Sequence, residues 1–233
     1  MKLSFYQTIR VLGAPFRFQV EGADHILDRG PAIYVANHLN SVGPIQTILS
    51  VPVRLYPWVI AEMTDTRRAP VYLFHDFIHP NWRLSGDFGM LVSTLVSKVG
   101  VRLLNGLGSV SVDRNSGWTG AAFRHSLKLL ADSQNLVIFP EDPKQPIDPN
   151  TRMRPFLCGF IALCRMYEER TGKKLPVYPM VAHAGRKMVL IGQAMFFQNQ
   201  GQRQRDIRVF CGQLKATMCE LYLNIEHGLA QAE

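Results

Sequence analysis

The reactive side chains of this chain gather where apolar runs end. Ala32 to Ala36 leads into Asn37-His38, Ser109 to Val112 into Asp113-Arg114, and Leu136 to Phe139 into Pro140, Glu141 and Asp142. A neutral imidazole accepts a proton near pH 7, so His38 is suited to act as a general base. A guanidinium offers a planar fork of donors that matches a phosphate, which suits Arg114 to an anionic ligand. Glu141 and Asp142 can accept from a hydroxyl or orient a cationic ring. Each residue also has a plainer reading: His38 as a histidine bonded at a strand end, Arg114 as a surface ion pair with Asp113 or Glu141.

Other chemistry-bearing patterns are weaker. HDFIH at His75 to His79 puts two histidines at i, i+4, but zinc needs a third ligand and Pro80 closes the stretch. A surface helix end is the simpler reading. Gly106-Leu107-Gly108 precedes a strand instead of following one, against a dinucleotide site. Cys158, Cys164, Cys211 and Cys219 match no metal or redox spacing, and read as reduced, buried thiols suited to a reducing compartment.

The elements that must position these residues follow from periodicity. Strands are predicted over Phe16 to Val20, Ala32 to Ala36, Trp58 to Glu62, Ser109 to Val112, Leu136 to Phe139, Val177 to Ala182, Met188 to Ile191 and Ile207 to Cys211. Helices are predicted from Pro44, over Gly89 to Leu104 with a break at Gly100, over Trp118 to Ser133, over Pro155 to Thr171 with Gly172 as the stop, and over Leu214 to Leu229. Pro143 to Asn150 is a proline-rich loop, and Gln198 to Arg205 a polar connection. Strands alternating with helices imply an α/β fold: a single domain with a largely parallel central sheet flanked by helices. An amphipathic helical segment occupies residues 1–15, with Phe5, Ile9 and Leu12 on one face, and the α/β domain residues 16–233. That first helix either packs on the domain or lies on a membrane surface.

A chain of 233 residues with 47% hydrophobic and 19% charged residues can bury one large core. Its net charge of +8 calls for an anionic partner, whether nucleic acid, an acidic membrane or a phosphorylated substrate. No basic stripe interleaved with aromatics and no nucleic-acid-binding signature is present, which argues against nucleic acid. The charge-free run Pro31 to Val53 is long enough to span a bilayer, yet Asn37, His38, Gln46 and three prolines make it a strand and loop. No signal-peptide pattern opens the sequence.

Together with Leu175 to Ala184, which carries Val177 and Pro179, the three reactive stretches resemble the four sequence blocks of the phospholipid/glycerol acyltransferase family, in order and approximate spacing, over roughly Phe16 to Gly192. The resemblance implies a glycerol-phosphate-acyltransferase-like fold and an O-acyltransferase with His38 as general base. It places Arg114 on the acceptor phosphate and Asn37, Asp113, Pro140 and Glu141 around the substrate. Acyl-CoA or acyl-carrier protein would be co-substrate, a lysophospholipid or glycerol-phosphate the acceptor, with no bound cofactor or metal. The enzyme would sit peripherally on the cytoplasmic face of an anionic membrane.

The chain departs from the family pattern at Gly43, where an aspartate usually follows the histidine by five residues. Losing such a partner in a Ser-His-Asp triad costs about 10⁴ in rate. The family's FPEG is here FPED, so a carboxylate absent at Gly43 is present at Asp142. Asp142, or else Glu141, is therefore the candidate to orient His38. The rival is a non-catalytic member of the fold that binds acyl chains or anionic lipid. Leu157 stands where the family often has lysine, a charge that Arg152 and Arg154 can supply.

Overall fold

A computed structural model describes residues 5–27, 30–39, 43–113 and 120–228. In chain order the elements are α1 (Phe5–Leu12), β1 (Gln19–Glu21), β2 (Ile33–Ala36), α2 (Gly43–Ser50), β3 (Leu55–Ile60), α3 (Ala69–Leu73), α4 (His79–Trp82), α5 (Gly86–Leu107) and β4 (Val110–Val112). After these come α6 (Gly120–Ala131), β5 (Asn135–Ile138), α7 (Ala162–Thr171), β6 (Pro176–His183), β7 (Met188–Ile191), β8 (Met195–Phe196) and α8 (Arg203–Glu226). The α/β class with a mostly parallel, mixed sheet and flanking helices is the observed one. The chain groups into two compact units, one of Met1–Ile9 and Tyr56–His125, the other of Arg10–Leu55 and Ser126–Glu233.

In the second unit β2 is central. It pairs in parallel with β5, Ile33 opposite Leu136, and with β6, Ile33 opposite Val177 and Val35 opposite Pro179. β7 runs antiparallel to β6 and parallel to β1, and β8 pairs antiparallel with the start of β6. Strands covered on both faces read as continuous apolar runs, and all four residues of β2 and of β5 are buried. Tyr34, Ala36, Val137, Tyr178, Met180 and Val189 form one core with Ile48 and Val51. Its Val, Ile and Met side chains each contribute about 1.5–3 kcal/mol through burial. Three of the four stretches that carry the resemblance thus lie on the neighbouring strands β5, β2 and β6.

In the first unit β3 and β4 pair in parallel, Trp58 opposite Val110. Trp58 packs edge-on against Phe123. Gly108 ends α5 in the left-handed region at φ +80°, where a side chain would also meet the Tyr56 ring.

Several sequence expectations are corrected. Ile207 to Cys211 is not a strand but the second turn of α8. The buried Asp206 carboxylate accepts the backbone N–H groups of Gln200 and Gln202, which starts the helix upstream; a short apolar run alone does not separate helix from strand. Gly100 does not break α5, because one helical glycine costs only about 1 kcal/mol. Ala14–Phe16 is a 3-10 turn, so the first strand starts at Gln19, and the third ends at Ile60. Cys158–Ile161 is likewise 3-10, so the predicted helix from Pro155 starts at Ala162. HDFIH lies in a π-helical turn, Phe74–Ile78, and at the start of α4. Cys158 and Cys211 are not free thiols but a disulfide; Cys164 and Cys219 remain unpaired. Arg114, the first residues of the predicted N-terminal segment, and the predicted helix ends at Trp118 and Leu229 lie outside the described residues.

Candidate functional site

Where β2 ends, Asn37 carries its pairing one step further. The buried side-chain amide donates from Nδ2 to the Ala182 carbonyl at 3.0 Å and accepts the Ala182 N–H on Oδ1 at 2.8 Å. A side chain here imitates a strand residue, fixing the chain against β6 just before the loop departs. Asn37 is 1% exposed, and both ends of its amide are bonded to Ala182. His38 follows and is exposed. Its ring stands edge-on to Phe139, with centroids 5.7 Å apart.

Glu141 holds this loop from the neighbouring strand. Its Oε1 accepts the His38 backbone N–H at 2.7 Å, and its Oε2 accepts the Arg154 backbone N–H at 3.0 Å. Around it the chain doubles back: Leu157 N–H donates to the Pro140 carbonyl and Asp142 N–H to the Pro155 carbonyl, both at 2.8 Å, with Glu141 bridged to Phe156. Pro140 is buried in this turn, and Glu141 is only 8% exposed. Burial pushes the Glu141 carboxyl above the usual range and outweighs the opposing pull of the two N–H donors and of Arg154 and Lys215.

Asp142 spends Oδ1 on the Lys144 N–H at 3.0 Å, closing an Asx turn at the head of the proline-rich loop. Gly43 begins α2, its N–H donating to the Leu39 carbonyl at 2.9 Å. A Cβ there would lie 2.2 Å from the Leu39 Cβ. Position 43 is therefore built for glycine, and no aspartate fits there without moving Leu39.

Asp113, half-buried, follows β4 in the other unit. The structure thus brings Asn37, His38, Pro140, Glu141 and Asp142 into one turn region.

Two features escaped the sequence reading. Lys215, on α8, acts on both Glu141 and Asp148; its only sequence signal was a lysine beside the inward-facing Leu214. His183 ends β6 with both ring nitrogens engaged. Nδ1 accepts the Arg186 N–H, so Nε2 carries the proton and donates to Glu226 at 2.5 Å. This buried histidine ties the β6–β7 turn to α8, whereas the His38 side chain is exposed.

The fold has a counterpart among solved structures. Over 95% of this chain and 79% of the other, it is similar to the 1-acyl-sn-glycerophosphate (LPA) acyltransferase PlsC from Thermotoga maritima, with a TM-score of 0.54 and 16% identity. The likeness is one of fold. No protein-family model matches the chain, and no curated protein matches it.

Proposed function

We propose that this chain is an O-acyltransferase that moves a fatty acyl group from acyl-CoA or acyl-carrier protein to the hydroxyl of a lysophospholipid or glycerol-phosphate-type acceptor. One observation carries the reading most: an exposed histidine after a central strand, its backbone clamped by a buried glutamate, in a fold similar to that of an LPA acyltransferase. In this scheme the His38 imidazole takes the acceptor hydroxyl proton as the oxygen attacks the thioester carbonyl. The tetrahedral intermediate collapses, the carbon–sulfur bond breaks, and the imidazolium returns the proton to the leaving thiolate. Asp142 orients the ring through Oδ2, its other oxygen being committed to Lys144. Arg114 receives the acceptor phosphate, with Asp113 beside it in the substrate site. No resident cofactor or metal takes part, and the enzyme works peripherally on the cytoplasmic face of an anionic membrane.

A second reading draws on Gly43. The site lacks the usual carboxylate and has no room for it, which suits a non-catalytic member of the fold that binds acyl chains or anionic lipid. Transfer of radiolabel from acyl-CoA to a lysophospholipid, abolished in His38→Ala, supports the first reading. Absence of turnover across donors and acceptors, with acyl species co-purifying, supports the second.

A further inference from the structure

The longest helix of the first unit, α5, is built inside out. Its buried residues include Gly89, Ser93, Ser97 and Val101, one every fourth position, so the packed side is mostly small. A Cβ at Gly89 would lie 2.7 Å from the Phe74 ring and 2.8 Å from the Leu84 carbonyl oxygen, and Ser93 Oγ donates to the Pro70 carbonyl of α3 at 2.6 Å. The opposite side carries Phe88, Leu91, Leu95 and Val99, each 56–69% exposed. A helix facing water places its large apolar residues inward and its charges outward. Close packing through small residues with large apolar ones outside belongs to helices whose solvent is lipid.

Charge narrows the occupant further. Along the outward stripe the side chains turn from apolar to basic, with Lys98 and Arg102 exposed on its last turns, in a chain of net charge +8. By length and composition α5 is long and apolar enough to cross a membrane, but its small-residue side is already packed within its own unit, which leaves only the outer stripe for lipid.

We infer that the outward face of α5 is the membrane-docking surface, lying flat with Phe88, Leu91, Leu95 and Val99 at the acyl boundary and Lys98 and Arg102 on anionic headgroups. This deepens the membrane contact of the proposed function by naming its surface, and it stands on α5 rather than on the N-terminal helix, where Val11 and Leu12 are also exposed.

The test is co-sedimentation of the full chain with phosphatidylcholine vesicles, with and without phosphatidylglycerol. Wild type is expected to bind the anionic vesicles and to weaken with added salt. Leu91→Glu with Leu95→Glu is expected to lower binding roughly tenfold or more, and Lys98→Glu with Arg102→Glu to remove the preference for phosphatidylglycerol. Val11→Glu with Leu12→Glu is expected to leave binding intact. Circular dichroism and thermal melts confirm that each variant is folded. Wild-type binding by the Leu91/Leu95 variant, loss confined to the Val11/Leu12 variant, or a wild-type dimer that the Leu91/Leu95 change dissolves overturns the inference. Turnover of detergent-dispersed acceptor separates the two proposals. If it survives in the Leu91/Leu95 variant while vesicle binding falls, both stand; if it is absent in every protein, the acyltransferase reading fails and the vesicle result is unaffected.

Discussion

His38 is exposed and Glu141 is buried, so substitutions at the two should fail in different ways. His38→Ala is expected to lower turnover roughly 10²–10⁴-fold while the melting temperature stays close to wild type, checked by radiolabel transfer and calorimetry. Glu141→Ala orphans two backbone donors and is expected to cost about 2–4 kcal/mol of stability in denaturant titration. Because burial raises the Glu141 pKa, the folded state holds its proton to higher pH than the unfolded chain does. Stability therefore falls as pH rises from the ordinary glutamate value through the folded one, and recovers as pH drops back through that window. Glu141→Gln is expected to flatten that slope in melts followed against pH. Gly43→Asp is expected not to raise turnover but to lose about 1–3 kcal/mol through the clash with Leu39.

At the scale of elements, the join between β2 and β6 decides where the histidine stands. Asn37→Ala removes both bonds to Ala182 and leaves that residue's N–H and C=O unmatched in the core. It is expected to cost about 2–4 kcal/mol and, unlike His38→Ala, to reduce turnover and the melting temperature together. Asn37→Asp keeps the acceptor and loses the donor, so it should fall between. The strands β2, β5 and β6 were legible because parallel, doubly covered strands are unbroken apolar runs. The start of α8 was not, because Asp206 reaches back to backbone groups four and six residues upstream, a contact that no periodicity encodes.

For the whole molecule, the Cys158–Cys211 bond closes a loop with a sequence separation of 53 and ties the segment beside Glu141 to α8. A loop of that length sets a chain-entropy gain of about 4 kcal/mol. Cys158→Ser with Cys211→Ser is expected to lower stability by about 2–4 kcal/mol in guanidinium titration. Thiol counting on the unfolded, unreduced chain should find two thiols, Cys164 and Cys219, rather than four. In the folded state Cys164 is inert, since burial pushes its thiol up to about 12. Disulfides are rare in reducing compartments, so the same count on protein kept from air bears on the cytoplasmic placement.

What the sequence determined by itself was local and one-dimensional: the apolar runs of the sheet, the stop at Gly172, and a histidine and two carboxylates just past strand ends. These follow from burial and backbone geometry within a few residues, so spacing records them. Tertiary structure decided which of those groups meet. Glu141 grips the His38 peptide across 103 positions of sequence, Asn37 grips Ala182 across 145, and Leu39 fills the space an aspartate at position 43 would need. It also turned α5 so that Phe88, Leu91, Leu95 and Val99 face outward. Contacts of this range depend on how strands register and which helix side is covered, and neither is fixed until the chain has packed.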